Sequence, residues 1–333
     1  MPQSILFDTD SIDLSKETLL QLYRMMLEIR RVELKIEELY HQDEMKTPIH
    51  LCVGQEAVAV GVCAHLNTDD YVFSNHRGHG HYIAKGGDIR AMIAELYNRE
   101  TGCSRGRGGS MHLIDTSVGL LGSSSIVGGC VPIATGTALG SVLQGRNCVS
   151  VAFFGDAAIE EGVLYESINF AMLKNLPVIY VCENNLYSVC SHLSKRQPND
   201  DIYRRFQGLS IPGYRVDGNN VIEVYHTAKK AIDSARLGGG PSFIECRTYR
   251  LRDHHGTGSG VEVGYRTQDE LDEWAAKCPV KNFELFLVER NLMTAREVEQ
   301  FITEIDREID EAFKFAQASA LPDENELLNY LYQ

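Results

Sequence analysis

An aspartate and an asparagine separated by one strand–helix–strand interval are the residues of this sequence best placed to do chemistry. Residues 155–185 read GDAAIEEGVLYESINFAMLKNLPVIYVCENN. The apolar run 149–154 predicts a strand that ends at Gly155 and Asp156. Leu164, Ile168, Ala171 and Met172 then recur at the spacing of a helix face turned toward a core. Pro177 opens the continuous apolar run 178–182, which suits a strand covered on both faces. Asp156 and Asn185 therefore stand at the carboxyl ends of neighbouring parallel strands, where open α/β sheets hold their ligands. A hard dication such as magnesium takes oxygen ligands in a near-octahedral set and accepts some of them from substrate phosphates. The Asp156 carboxylate, the side-chain oxygen of Asn185 and the main-chain carbonyl of Tyr187 would supply three, leaving positions for two oxygens of a diphosphate. A helix starting after Ala158 would add free N–H groups and its positive end. Either half alone also reads as an ordinary helix cap or turn; the pair in this order points to a ligand.

This stretch resembles the thiamine-diphosphate signature, usually GDG and later NN, in the form carried by alpha subunits of the decarboxylating first component of 2-oxo acid dehydrogenase complexes. The pyruvate and acetoin dehydrogenase alpha subunits are the most similar in appearance. The resemblance runs from about residue 20 to 267. It includes GQEAVAVG at 54–61, HRGHGHYIAKG at 76–86, GRGGSMH at 106–112, SIVGGCVP at 125–132 and TYRLRDH at 248–254. HRGHGH with IAKG is closer to the acetoin type than to the animal pyruvate type.

The resemblance implies an α/β thiamine-diphosphate-binding fold, a mostly parallel sheet flanked by helices. Residues 46–267 would form the diphosphate- and magnesium-binding domain, between a helical extension at 1–45 and a helical region at 268–333. By the same resemblance Gly155, Asp156, Ala157 and Ala158 cradle the diphosphate, and Arg77 and Arg250 contact it as planar cations. His76 touches the coenzyme, while Ser125 and Val127 meet its aminopyrimidine and hold its V-shape. His50 and His254 match active-site histidines that orient a 2-oxo acid or carry a proton during acyl transfer. A separate beta subunit supplies the glutamate that activates the aminopyrimidine, in an α2β2 assembly, and a lipoyl acyltransferase component receives the acyl group. The implied reaction is decarboxylation of a small 2-oxo acid or cleavage of acetoin.

Three departures bear on that expectation. Ala157 replaces the second glycine of GDG, so its backbone must sit at negative φ. Glu160 stands where these relatives carry asparagine and adds negative charge beside a diphosphate. The loop HHGTGSGVEVGYRT at 254–267 replaces the serine-bearing loop that is phosphorylated in animal pyruvate dehydrogenases, so that control is not expected. The altered loop leaves open a carboligating enzyme that needs no lipoyl partner. Ala157 and Glu160 leave open a catalytically degenerate subunit kept for assembly.

The elements that must position these residues form one domain without internal repeats. Helices are predicted over 15–40, 55–66, 126–143, 221–237 and 294–320, with a further strand at 242–248. Thr294 and Glu297 make a capping box for the last helix, whose charges read as a solvated face. The Gly-rich stretch 101–122 reads as a long irregular loop, the kind that is usually functional. At 333 residues and 44% apolar content the chain can bury a substantial core. A net charge of -14 argues against nucleic acid as a partner, since phosphate contacts need clustered Lys and Arg. The opening residues lack the apolar core of a signal peptide, and no apolar run reaches membrane-spanning length, so a cytoplasmic location is expected. Nine cysteines without a CxxC pair read as reduced core residues rather than disulfides. His79, His81 and His255 are placed to line the entrance of the site. A zinc site at His76, His79 and His81 is not expected, because no cysteine or acidic companion stands at ligand spacing.

Overall fold

The computed structural model describes residues 13–326 and 328–329. Ser15 caps α1 (Lys16–Tyr40), its hydroxyl accepting the Thr18 N–H. There follow α2 (Glu56–Cys63), β1 (Tyr71–Asn75), α3 (His79–Ala84), α4 (Ile89–Leu96), β2 (Leu120–Ser124) and α5 (Cys130–Leu143). β3 (Ser150–Gly155), α6 (Gly162–Lys174) and β4 (Val178–Asn184) make the unit that the apolar pattern predicts. A hairpin of β5 (Tyr187–Ser188) and β6 (Ser191–His192) and the one-turn helix α7 (Leu193–Arg196) come next. Then follow β7 (Gly213–Asp217), α8 (Val221–Arg236), β8 (Ser242–Arg247), α9 (Gln268–Ala275), α10 (Pro279–Glu289) and α11 (Ala295–Ala318).

β1–β4, β7 and β8 form a six-stranded sheet in the order β2-β1-β3-β4-β8-β7, and every pairing in it is parallel. Such a sheet is buried on both faces, which is why its central strands are apolar throughout. Along β3, Val151 and Phe153 join one core with α1, α2, α8, α10 and α11. The alternate residues Ala152 and Phe154 join a second core with α5 and α6. The chain between β1 and β2 crosses to one side of the sheet and that between β3 and β4 to the other. The order thus reverses between β1 and β3, and a crevice opens at their carboxyl ends.

The sequence pattern and the structure differ at several elements. β1, β2 and β7 carry no long apolar run. β2, LLGSS, is a leucine pair followed by a glycine and two serines, and both β2 and β7 lie at sheet edges, where only one neighbour demands apolar cover. The turn after Gly155 is a five-residue 3-10 helix, Asp156–Glu160, and α6 begins only at Gly162. α5 begins at Cys130, so residues 126–129 form the turn that leads into it. The last helix is amphipathic rather than wholly solvated: Val298, Ile305, Ile309, Phe313 and Ala316 are buried on its inner side. Its capping box forms as expected.

One buried ion pair ties α1 to the segment that enters the crevice. Arg30 donates from Nε to Glu56 Oε1 at 2.6 Å and from Nη2 to Glu56 Oε2 at 2.9 Å. The same carboxylate accepts the Gly54 N–H, and Gly54 itself sits at φ +102 against the Tyr249 carbonyl, where a Cβ would collide. Glu56 is fully buried, so either partner alone would be an uncompensated charge. Arg30→Met and Glu56→Met should each lower stability by about 3–5 kcal/mol, and the double variant by less than the sum. Calorimetric melting of the four proteins checks this; additive losses would show that the two charges do not depend on each other.

Candidate active site

Loops from five parallel strands and one helix entrance converge on the crevice. His76 and Arg77 follow β1, and Ser125, Ile126 and Val127 follow β2. Gly155, Asp156, Ala157 and Ala158 lie at the end of β3, Asn185, Tyr187 and Val189 follow β4, and His254 follows β8. His50 and Gln55 arrive from the segment before α2. All of these line one cleft. Arg250 stands just behind it, buried, donating from Nη2 to the Val189 carbonyl at 3.0 Å.

Strand register explains the meeting of Asp156 and Asn185. Gly155 pairs with Glu183 across β3 and β4, so the next residues of both strands leave the sheet side by side. Asn185 donates from Nδ2 to Gln55 Oε1 at 3.3 Å, and its Oδ1 accepts the Tyr187 N–H at 3.3 Å. The amide is thereby oriented, and Oδ1 keeps a second lone pair for a ligand. Asp156 is 1% exposed. Burial pushes its carboxyl above the ordinary carboxylate range, while the guanidinium of Arg196 opposes that shift. Arg196 forks two carboxylates, with Nη2 on Asp156 Oδ2 and Nη1 on Glu160 Oε1. Ala157 stays at negative φ, as a residue with a side chain requires there, and a Cβ placed at Gly155 would meet open space.

The cleft therefore offers a buried carboxylate already partnered by a cation, an oriented amide oxygen and a free approach along the Gly155 backbone. That donor set fits a dication carrying a diphosphate.

On the opposite wall His50, His76 and His254 form a cluster, with ring centroids 4.7 Å apart for His50–His76, 5.1 Å for His50–His254 and 5.4 Å for His76–His254. Burial, then the charge of Arg77, lowers their pKa values from 6.5 to about 2 for His50 and about 3 for His76 and His254. All three are neutral imidazoles near pH 7. Their ring nitrogens come within 4.8 Å of one another, near enough to invite a metal. The two buried guanidiniums beside them argue for an anion instead, and burial with the Arg250 charge pulls Arg77 itself down to about 9. Arg77 is held by the carbonyls of Leu51, at 2.7 Å, and His254, at 3.1 Å.

Two of the histidines expected at the entrance are elsewhere. His79 is fully buried between Glu33, at 3.0 Å, and the Ser110 hydroxyl, at 2.8 Å. His81 is buried against Ser74, 2.7 Å away, and Glu183, and stacks on Phe153. Helix α3 presents them on different faces, His79 toward Glu33 of α1 and His81 toward the sheet at Ser74, Phe153 and Glu183; both are structural. His255 is exposed, 6.3 Å from the His50 ring. Val127 lies in the turn before α5, not in an apolar helix, and is 46% exposed. Sequence reasoning missed Arg196, Gln55 and Glu183. The last two lie inside quoted motifs and were legible as polar residues in apolar surroundings; Arg196 sits in a polar stretch that gives no signal.

With this geometry in view, the similarities of the chain can be placed. The family model of the dehydrogenase E1 component matches residues 23–324. The chain is 41% identical over 329 residues to the alpha subunit of acetoin:2,6-dichlorophenolindophenol oxidoreductase from Bacillus subtilis (strain 168), covering 98% of this chain and 97% of that one. It is 37% identical to the subunit of the same description from Cupriavidus necator, over 98% of this chain and 97% of that one. To the somatic, mitochondrial pyruvate dehydrogenase E1 component subunit alpha of Homo sapiens it is 37% identical, over 96% of this chain and 80% of that one. The chain belongs to the dehydrogenase E1 component family, as an alpha subunit of thiamine-diphosphate-dependent oxidoreductases. The similarity reaches past residue 267, the far bound of the resemblance read from the sequence, and takes in α10 and α11.

Depressed imidazole pKa values have a definite sign in stability. An unfolded chain takes up protons near pH 6.5 that the buried histidines refuse, so stability falls as pH drops from 6.5 toward about 3. His50→Asn removes one refusing group. Its melting temperature should decline less between pH 7 and pH 5 than that of the wild type, and parallel declines would show that His50 is not held neutral by the fold.

Proposed function

We propose that this chain holds magnesium–thiamine diphosphate at the β3/β4 edge and works as the alpha subunit of a dehydrogenase that decarboxylates a small 2-oxo acid or cleaves acetoin. The observation that carries the reading is the convergence of Asp156, Asn185 and Tyr187 on one cleft at the ends of two paired strands. Magnesium is the hard ion that this carboxylate, amide and carbonyl set suits. The acetoin reading draws on the 41% identity to the Bacillus subtilis protein and on HRGHGH.

When bound, the coenzyme supplies the electron sink, and the residues here bind, orient and protonate around it. By the resemblance, Arg77 and Arg250 bring positive charge to the coenzyme's phosphates. His50 and His254, neutral and with no side-chain hydrogen bond among the described residues, can donate or accept at the substrate oxygen. The resemblance assigns them to acyl transfer onto a lipoyl group.

A beta subunit completes the site. Ile126 is 72% exposed and Val127 46% exposed at the cleft mouth, and Ile133, Val142, Leu143 and Leu173 extend the apolar surface along α5 and α6. Exposed apolar residues gathered on neighbouring elements are suited to a partner, and the open space over Gly136 and Gly140 lets another backbone come close. This face supports an α2β2 assembly in which the beta chain brings the activating glutamate. No helix among the described residues is long and apolar enough to cross a membrane, and the nine cysteines are all unpaired, which supports a cytoplasmic setting.

Asp156→Ala in the co-purified alpha–beta pair should weaken magnesium–thiamine diphosphate binding by at least about 100-fold in calorimetric titration. Unchanged affinity would remove Asp156 from the site. His254→Gln should lower acyl transfer to a lipoyl acceptor by about 100-fold while leaving coenzyme affinity intact. A normal rate would deny His254 that part. Turnover of pyruvate against acetoin with an artificial electron acceptor separates the two substrates.

A further inference from the structure

Arg196 belongs to none of the motifs that carry the family resemblance, yet it holds the most buried acid of the site. It reaches from α7, the turn that follows the β5–β6 hairpin, and its Nε donates to the Ser191 carbonyl at 3.1 Å. One guanidinium nitrogen is on Asp156 and the other on Glu160. The arginine side chain is 11% exposed, Asp156 is 1% exposed and Glu160 is 37% exposed. Gln197 braces the same Glu160 oxygen at 2.7 Å. Asp156 and Glu160 lie at the two ends of one 3-10 turn, so a single guanidinium spans the turn.

The asymmetry of exposure gives the two contacts different consequences. A carboxylate as buried as Asp156 keeps its charge only with a positive partner, because an unpaired buried charge is costly. Glu160 can be solvated and needs none. The guanidinium occupies Oδ2, and a dication that takes this oxygen displaces it, since two cations on one oxygen repel each other. Glu160, the acidic residue found where asparagine was expected, remains as the anchor for the displaced arginine.

Building on the magnesium–thiamine diphosphate reading, we propose that Arg196 is an internal counter-ion for the metal-ligand carboxylate. It compensates Asp156 in the coenzyme-free chain, is exchanged for the dication–diphosphate on loading, and stays tethered to Glu160. Loading is then a cation exchange, and Arg196 is a positioning residue that sets coenzyme affinity. Glu160 is the other half of the device rather than a defect in the site.

Calorimetric titration of magnesium–thiamine diphosphate into the intact alpha–beta assembly, together with melting of the coenzyme-free assembly, tests this. Arg196→Gln should bind roughly tenfold tighter, the scale of one charge-assisted hydrogen bond, and its coenzyme-free form should melt lower than wild type. Glu160→Gln should bind several-fold weaker, because the displaced guanidinium loses its anchor. In the double variant the Glu160→Gln effect should vanish. If Arg196→Gln does not assemble, Arg196→Lys keeps a positive charge while losing the fork, and it should bind tighter than wild type by a smaller factor. Weaker or unchanged binding in the arginine variants would overturn the proposal, weaker binding marking Arg196 as a phosphate contact. A wild-type assembly that shows no saturable binding would overturn the coenzyme reading, and this proposal with it.

Discussion

A carboxylate buried to 1% exposure at the end of a parallel strand is the constraint on which the site turns. Asp156 cannot draw on water for its solvation, so the fold must provide a cation wherever the charge is kept. In the chain alone Arg196 provides it. The neighbouring oxygens of Asn185 and Tyr187 make the same position suitable for a hard dication, and the backbone of Gly155 leaves room for a phosphate approach. Arg250 adds a second positive charge near that acid, while the histidine cluster is kept neutral chiefly by burial, with the charge of Arg77 adding to it.

Sheet topology delivers these groups to one place. The reversal between β1 and β3 separates the loops that follow them, and the crevice between receives side chains from the carboxyl ends of five strands. Two apolar layers fix the strands from either side, so the loops hang from a rigid frame. The buried Arg30–Glu56 pair and the turn at Gly54 do the same for the segment that brings His50 and Gln55. One side of the cleft mouth, at Ile126 and Val127, remains apolar and uncovered in this chain.

Much of this was legible in the sequence because parallel strands need apolar residues on both faces. The runs that became β3, β4 and β8 could be read directly, and with them the positions of Asp156 and Asn185. β1, β2 and β7 escaped because their apolar content is short or interrupted, and the edge strands β2 and β7 are held by backbone pairing that leaves little mark on side-chain type. His79 and His81 illustrate the opposite difficulty. Both sit in a motif that faces the cleft at His76 and Arg77, but the chain enters α3 at once, and the helix turns them into polar contacts with Glu33 and Glu183. Arg196 had no signal at all, since a lysine–arginine pair in a polar loop is the commonest of surface features and its two acidic partners lie in a different segment.

The most direct measurement is a crystal structure of the alpha–beta assembly grown with thiamine diphosphate and manganese in place of magnesium, with anomalous scattering used to locate the ion. The account predicts one peak within coordination distance of an Asp156 carboxylate oxygen, Asn185 Oδ1 and the Tyr187 carbonyl, beside the diphosphate. A peak elsewhere, with Asp156 and Asn185 contacting no common ion, would contradict it.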